Sequence, residues 1–194
     1  MSRWTALGPW ALSNKNIFIG GGTQQGKSVL ANQIMAEDSR IGVFFNHDDE
    51  EFVVGKEVRS WDKLLEYMNH GYTKFNFSMP PFDLDVADRH EGLVMNIMKA
   101  GEYKNMATTL VTDEAHEVGT EGKKKTSLHL AVKRGLKRGL RNLVVTQDVS
   151  AVSKSIVRQC DYFAWVGPPS KFDIDYLEEK KIPARSDAYR GMKE

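Results

Sequence analysis

The chain has 194 residues, of which 41% are hydrophobic and 27% charged, and its formal net charge is +1. This length suits one sizeable core and excludes two ordinary nucleotide-binding domains, so we expect a single domain over residues 1–194. The composition is that of a globular protein, no apolar run is long enough to span a bilayer, and the first residues lack the layout of a signal peptide. A soluble, intracellular protein is therefore expected.

The placement of charge and the single cysteine further narrow the functions that the sequence allows. Lysines and arginines crowd residues 123–141, where no acidic residue occurs. A local basic face of this kind can bind a polyanion although the total charge is near zero. The one cysteine, Cys160, excludes an internal disulfide and a multi-cysteine metal site, and its surroundings predict a small buried side chain near a strand.

In chain order, we expect a lead-in over residues 1–15, a core over residues 15–167 and a C-terminal extension over residues 168–194. In the lead-in, Trp4 and Trp10 either pack on the protein or stack on a base. Apolar runs predict strands at residues 16–19, 41–46, 72–77, 107–112, 142–147 and 162–167, with 72–77 towards an edge. Helical spacing predicts helices at residues 27–37, 60–68, 85–99, 127–138 and 173–181, and residues 149–159 form a short helix or loop. This alternation predicts an α/β fold, a mostly parallel central sheet with helices on both faces.

The segment between the first strand and the first helix, residues 20–28, reads Gly-Gly-Gly-Thr-Gln-Gln-Gly-Lys-Ser and fits the phosphate-binding P-loop pattern. Glycines let the backbone curl around an anion, and N–H groups at a helix start favour phosphate. Lys27 would reach the β and γ phosphates, and the Ser28 hydroxyl would hold Mg²⁺. The alternative is a glycine-rich turn with a chance lysine. The predicted nucleotide-binding residues are Gly21, Gly22, Thr23, Gln24, Gln25, Gly26, Lys27, Ser28 and Val29.

Polar side chains follow two later core strands, at the edge of the sheet where the P-loop should lie. Asp113 could bind Mg²⁺ and Glu114 could polarise an attacking water, or both are ordinary surface acids. His116 could link the site to a partner or substrate, or be a hydrogen-bonded structural histidine. Gln147 could contact the γ phosphate or the attacking water, or be a satisfied loop amide. Together these residues favour triphosphate hydrolysis over simple nucleotide storage.

Taken together, three stretches resemble the FtsK/HerA superfamily of DNA-pumping ATPases. They are the P-loop, residues 110–116 (Leu-Val-Thr-Asp-Glu-Ala-His) and residues 138–150 (Arg-Gly-Leu-Arg-Asn-Leu-Val-Val-Thr-Gln-Asp-Val-Ser), and residues 157–161 also look like that family. The resemblance covers roughly residues 15–167 and implies a RecA-like P-loop NTPase core of the ASCE type that uses ATP and Mg²⁺. It implies these roles: Lys27 and Ser28 on nucleotide and metal, Asp113 on the metal, Glu114 as catalytic base and Gln147 as polar sensor.

Superfamily members work as rings in which an arginine of one subunit completes the site of the next, so the resemblance implies a homo-oligomer, a pentamer or hexamer. Arg134, Arg138 and Arg141 are the candidates for this arginine, and their alternative roles are phosphate contacts to DNA or a solvated helix face. A core of this length is similar to the genome-packaging ATPases of membrane-containing icosahedral viruses. That similarity implies capsid vertex or viral membrane proteins as further partners, and a location in the virion or the host cytoplasm.

The leading hypothesis is an ATP-driven translocase of double-stranded DNA that fills a viral capsid. Lys123, Lys124 and Lys125 would lie in a loop that grips the DNA backbone without reading bases, or in a solvated loop, and Lys133 and Lys137 are further DNA-binding candidates. The alternatives are another FtsK/HerA-like translocase, a small-molecule P-loop kinase, and a nucleotide-gated assembly or secretion adaptor. The Asp-Glu-Ala-His string also suggests an RNA helicase, which this length excludes because such helicases need two tandem RecA-like domains.

Overall fold

The computed structural model describes residues 8–46, 53–78, 86–119, 126–169 and 171–179, which form strands and helices in alternation. The strands are β1 (Ile17–Gly21), β2 (Ile41–Asn46), β3 (Lys56–Val58), β4 (Lys74–Ser78), β5 (Thr108–Thr112), β6 (Leu140–Thr146) and β7 (Tyr162–Val166). The helices are α1 (Lys27–Glu37), α2 (Trp61–Asn69), α3 (Val86–Lys104), α4 (Ser127–Arg134), α5 (Lys154–Val157) and α6 (Lys171–Glu179), and a short 3-10 helix covers Leu136–Arg138. Within these ranges no helix is both long and apolar enough to cross a membrane.

The strands form one sheet in the order β3-β4-β2-β5-β6-β1-β7, and every pairing is parallel. The predicted α/β fold with a parallel sheet is confirmed. β6 lies between β1 and β5, so the chain leaves these three neighbouring strands at the same edge of the sheet. The P-loop follows β1, Asp113 follows β5 and Gln147 follows β6. This topology brings together segments that are far apart in the sequence.

Alternate residues of the central strands enter two apolar layers, one on each face of the sheet. Ile17 and Ile19 of β1 belong to the layer that α1 covers, whereas Phe18 belongs to the larger layer that α2, α3, α4 and α5 cover. The predicted helices on both faces are confirmed. Cys160 is partly buried against the larger layer, and burial raises the pKa of its thiol, so it is a packing residue, as predicted.

The structure differs from the predicted elements at β3 and α4, and α3 also continues past the predicted end at residue 99, to Lys104. The edge strand β3 was not predicted, because its three residues Lys-Glu-Val carry no apolar alternation, and it places β4 one position inside the sheet. The helix predicted over residues 127–138 ends at Arg134, and Leu136–Arg138 continues as a 3-10 turn. Gly139 then adopts a φ of 72°, a left-handed conformation that ends the turn before β6. Arg138 is therefore not on the basic helix.

The buried side chain of Arg141 connects the lead-in to the end of the sheet opposite the P-loop. The Arg141 guanidinium donates from Nη1 to Asp38 Oδ2 at 2.9 Å, from Nε to the Lys15 carbonyl at 3.0 Å, and from Nη2 to the Ala11 carbonyl. Arg141 is 0% exposed. The prediction that Arg141 is a candidate to enter a neighbouring subunit's site is therefore wrong, because its guanidinium is buried and hydrogen-bonded within its own chain.

The lead-in also packs through an aromatic contact. The rings of Trp10 and Tyr162 lie 6.4 Å apart, and Trp10 borders the α1 layer. For Trp10, packing on the protein is the interpretation that the structure supports, whereas Trp4 lies outside the described residues. Trp10 and Arg141 thus hold residues 10–15 against the amino end of the strands.

The helix α3 contains two glycines that predict opposite responses to alanine. A Cβ on Gly101 would lie 1.8 Å from the Arg138 carbonyl oxygen, whereas a Cβ on Gly92 would have no neighbour within 4 Å. We expect Gly101→Ala to lower the free energy of unfolding by about 1–3 kcal/mol, because α3 must move away from the 3-10 turn. Gly92→Ala should raise it by about 0.5–1 kcal/mol through helix propensity. Urea unfolding of both variants measures the difference, and equal effects would contradict the close packing of α3.

Candidate active site

The P-loop follows β1 and ends where α1 begins. Gly26 takes a left-handed conformation with φ 95°, which glycine adopts without a steric penalty, and α1 starts at the next residue. The first N–H groups of α1 have no acceptor within the helix and suit an anion. The Lys27 ammonium donates to the Gly22 carbonyl at 2.9 Å, and the Gly22 N–H donates to Gln25 Oε1 at 2.8 Å. The loop is therefore closed on itself by its own side chains.

A hydroxyl and a carboxylate meet beside the P-loop. Ser28 Oγ donates to Asp113 Oδ2 at 2.8 Å, although the two residues are 85 positions apart. The other carboxylate oxygen of Asp113 accepts the Glu114 N–H at 2.9 Å, and Asp113 is buried. A serine hydroxyl and an aspartate carboxylate are hard oxygen ligands of the type that Mg²⁺ prefers. The residues present therefore fit a magnesium ion bound together with nucleotide phosphates.

Glu114 stands next to this pair in a constrained conformation. Its backbone φ is 40°, which is uncommon for a residue other than glycine. Its carboxylate oxygen Oε2 accepts a hydrogen bond from the backbone N–H of Gln147, with 3.4 Å between nitrogen and oxygen. The same oxygen lies 3.2 Å from His116 Nδ1. Burial raises the pKa of Glu114, and the Asp113 carboxylate raises it further. A half-buried carboxylate with a raised pKa is a suitable proton acceptor.

Gln147 connects the end of β6 to the P-loop. Thr23 Oγ1 donates to Gln147 Oε1 at 2.7 Å, across 124 positions of the sequence. The two residues border a cavity of about 290 Å³ together with Glu114, Lys27 and Ser28. Gln24, Gly26 and Val29 also line it, and Val29 is 51% exposed on the first turn of α1. Gly21, Gly22 and Gln25 belong to the P-loop but do not line this cavity.

A second cavity, of about 320 Å³, lies between α3 and α4. It is slightly larger, but its lining includes Lys133, Arg134 and Glu91 and none of the P-loop residues. The smaller cavity is the candidate active site, because it adjoins a helix start, a lysine and a hydroxyl–carboxylate pair. The larger cavity marks where two of the predicted basic residues lie.

The basic candidates do not gather in one place. Arg138 pairs with Glu102 at 3.1 Å, and Arg134 ends α4, so both remain candidates for the arginine that acts in trans. Lys133 is exposed at the end of α4, and Lys137 lies on the 3-10 turn. Lys123, Lys124 and Lys125 lie outside the described residues.

Two buried polar connections were not predicted from the sequence. His90 bridges Thr112 at 3.0 Å and Ser127 at 2.7 Å, which joins the end of β5 to the start of α4. Asp38 accepts hydrogen bonds from Thr109 and Arg141 near the amino ends of β5 and β6. No local pattern singles out His90, whose partners lie 22 and 37 positions away, or the contacts of Asp38 with Thr109 and Arg141, although Asp38 also pairs with Arg40 two positions further on.

The fold and the arrangement of the candidate site together identify a fold class. A parallel α/β sheet with a P-loop after β1 and an acidic pair after β5, with one strand between them, is the P-loop NTPase fold. Comparison with protein-family models finds no match.

Particular proteins resemble this chain over most of their length. Protein P9 of Pseudoalteromonas phage PM2 is 23% identical over 181 residues, which cover 88% of this chain and 81% of P9. The genome packaging NTPase B204 of Sulfolobus turreted icosahedral virus 2, solved with ATP-gammaS, superimposes with a TM-score of 0.72 at 16% identity and covers 93% of this chain and 87% of its own. B204 of Sulfolobus turreted icosahedral virus, a DNA-packaging ATPase, has a TM-score of 0.65 at 13% identity, with 94% and 86% covered. The predicted resemblance to viral genome-packaging ATPases is confirmed.

Proposed function

We propose that this chain is an ATPase that moves double-stranded DNA into a viral capsid. The observation that carries the hydrolytic part is the convergence of Lys27, Ser28, Glu114 and Gln147 on one cavity, with Asp113 hydrogen-bonded to Ser28 beside it. The packaging part is supported by the likeness to B204, which extends over most of both chains. We propose ATP and Mg²⁺ as cofactors.

In the proposed reaction each side chain has one task. Lys27 exchanges the Gly22 carbonyl for the β and γ phosphates of ATP. Ser28 and Asp113 would hold Mg²⁺, which when bound offsets negative charge on the phosphates. Glu114 accepts a proton from the attacking water, and its raised pKa strengthens it as a base. Gln147, already bonded to Thr23 of the P-loop, contacts the γ phosphate or that water.

The proposed motor acts as a ring of five or six copies. Arg134 or Arg138 of one subunit would enter the site of the next, where a guanidinium stabilises charge on the transferred phosphoryl group. Lys133, Lys137 and the lysines at residues 123–125 would contact DNA phosphates, which provide affinity without sequence selection. Proteins of a capsid vertex or a viral membrane would anchor the ring, in the virion or the host cytoplasm.

ATP hydrolysis is expected to rise when double-stranded DNA is added at low salt and to lose this stimulation steeply as salt increases. The double variant Lys133→Ala/Lys137→Ala should bind DNA more weakly, and the slope of log affinity against log salt should fall by about 2, one for each lost phosphate contact. Lys63→Ala is the matched control, since Lys63 pairs with Glu66 on α2 and should leave the slope unchanged. Equal hydrolysis with and without DNA at low salt would contradict the proposed motor.

A further inference from the structure

His116 lies between the proposed catalytic base and the end of β6. Its Nδ1 atom is 3.2 Å from Glu114 Oε2 and 3.4 Å from Thr146 Oγ1. The Thr146 hydroxyl is itself fixed, because it donates to the Asp148 carbonyl at 3.1 Å and accepts the Asp148 N–H at 3.1 Å. The imidazole is thus held at the base of the turn that carries Gln147.

Within the part of the chain that the structure describes, the Glu114 carboxylate has few other constraints. A glutamate side chain has three rotatable bonds and loses considerable conformational freedom when it is fixed. Apart from His116, the hydrogen bond to this carboxylate comes from the Gln147 N–H at the long distance of 3.4 Å. The side chains of Glu114 and His116 are 16% and 28% exposed, so water competes only partly for their contact. His116 therefore provides the shorter of the two contacts that orient Glu114.

We propose that His116 is a positioning residue for Glu114, and that its Nδ1–H donates to the carboxylate and fixes the base relative to Gln147 and the P-loop. The inference rests on the proposed function, because it assumes that Glu114 is the base. His116 does not touch the nucleotide cavity, whose lining includes Glu114 and Gln147 but not the imidazole. Its loss should therefore slow turnover without weakening ATP binding, since misplacement of a catalytic group by about 1 Å costs on the order of 10²-fold.

The two nitrogen positions of the His116 imidazole can be tested separately. An asparagine at position 116 places its amide nitrogen near the position of Nδ1, whereas a glutamine reaches the position of Nε2. We expect His116→Ala and His116→Gln to lower kcat by about 10- to 100-fold with the Kd for ATP unchanged. His116→Asn should restore kcat to within about threefold of wild type, because it keeps a donor to Glu114. His70→Ala serves as the control, since His70 is exposed at the end of α2 and contacts the Glu66 carbonyl.

Each result decides the inference. If His116→Asn and His116→Gln lower kcat equally, or if neither they nor His116→Ala change it by more than twofold, His116 does not position Glu114. Should His116→Ala fail to fold, the asparagine and glutamine variants still give the comparison. Glu114→Gln is assayed alongside: if it hydrolyses ATP normally, the proposed function has failed, whereas its inactivity with fully active His116 variants overturns the positioning role alone.

Discussion

Glu114→Gln is expected to abolish ATP hydrolysis while ATP binding persists. Glutamine keeps the size of the side chain and can still contact His116, but it cannot accept a proton from water. Loss of a general base costs about 10²–10⁴-fold in rate. The P-loop, Ser28 and Asp113 are untouched, so the Kd for ATP should change little. Single-turnover hydrolysis and equilibrium binding of labelled ATP measure the two quantities separately.

The control for this variant is Glu117→Gln, which removes the same charge from an exposed residue three positions further along. It should retain wild-type turnover. Hydrolysis at the wild-type rate in Glu114→Gln would remove Glu114 from the reaction. If the variant instead loses hydrolysis but still supports assembly, the chain is a nucleotide-gated adaptor rather than a motor, since a motor needs turnover.

Arg141→Met is expected to lower the free energy of unfolding by about 3 kcal/mol, the lower end of the cost of breaking a buried ion pair, because Asp38 keeps the Arg40 guanidinium as a second partner. Asp38 and Arg141 are nearly inaccessible to water and lie 2.9 Å apart. The substitution also frees the Ala11 and Lys15 carbonyls, so the lead-in should detach first. Urea unfolding gives the stability, and limited proteolysis of the lead-in tests the order of events.

Arg138→Met is the matched control, because Arg138 is the same residue type three positions earlier and forms an ion pair with Glu102 at the surface. Exposed pairs contribute about 0–1 kcal/mol, so this variant should lie within about 1 kcal/mol of wild type. A similar loss for both variants would show that Arg141 does not act through a buried pair.

The contribution of Arg141 should also depend on pH. Burial acts to raise the pKa of Asp38, but hydrogen bonds from Thr109 and Arg40 and the charges of Arg40 and Arg141 outweigh it, so the folded-state pKa is lowered. A lowered carboxyl pKa stabilises the fold above the pKa of the unfolded state, and this stability is lost as pH falls through the folded-state value. The difference in stability between wild type and Arg141→Met should therefore shrink in acid. A constant difference down to pH about 3, below the ordinary aspartate pKa, would contradict the assignment to Asp38.

Much of the site could be predicted because it depends on local patterns. The P-loop glycines, the lysine and the following helical spacing occupy one stretch, and the predicted first helix and second strand match Lys27–Glu37 and Ile41–Asn46. The position of Glu114 and Gln147 at the sheet edge follows from a general property of parallel strands, whose carboxyl ends lie together. Strand alternation and apolar runs were therefore sufficient to predict the fold class, whereas the residues assigned to a nucleotide stay a prediction.

Contacts between distant segments were decided by the tertiary structure. Arg141 sits among basic residues in the sequence and has the composition of a surface site, yet the sheet buries it against Asp38, 103 positions away. The orientation of His116 likewise depends on Thr146, which β6 brings beside it. Local sequence patterns determined the glycine-rich loop before α1 and the order of strands and helices, because these depend on the periodicity and conformational preferences of neighbouring residues. Which arginine is structural and which histidine contacts Glu114 depended on the packing of the strands, because a charged side chain is placed by its partners across the sheet.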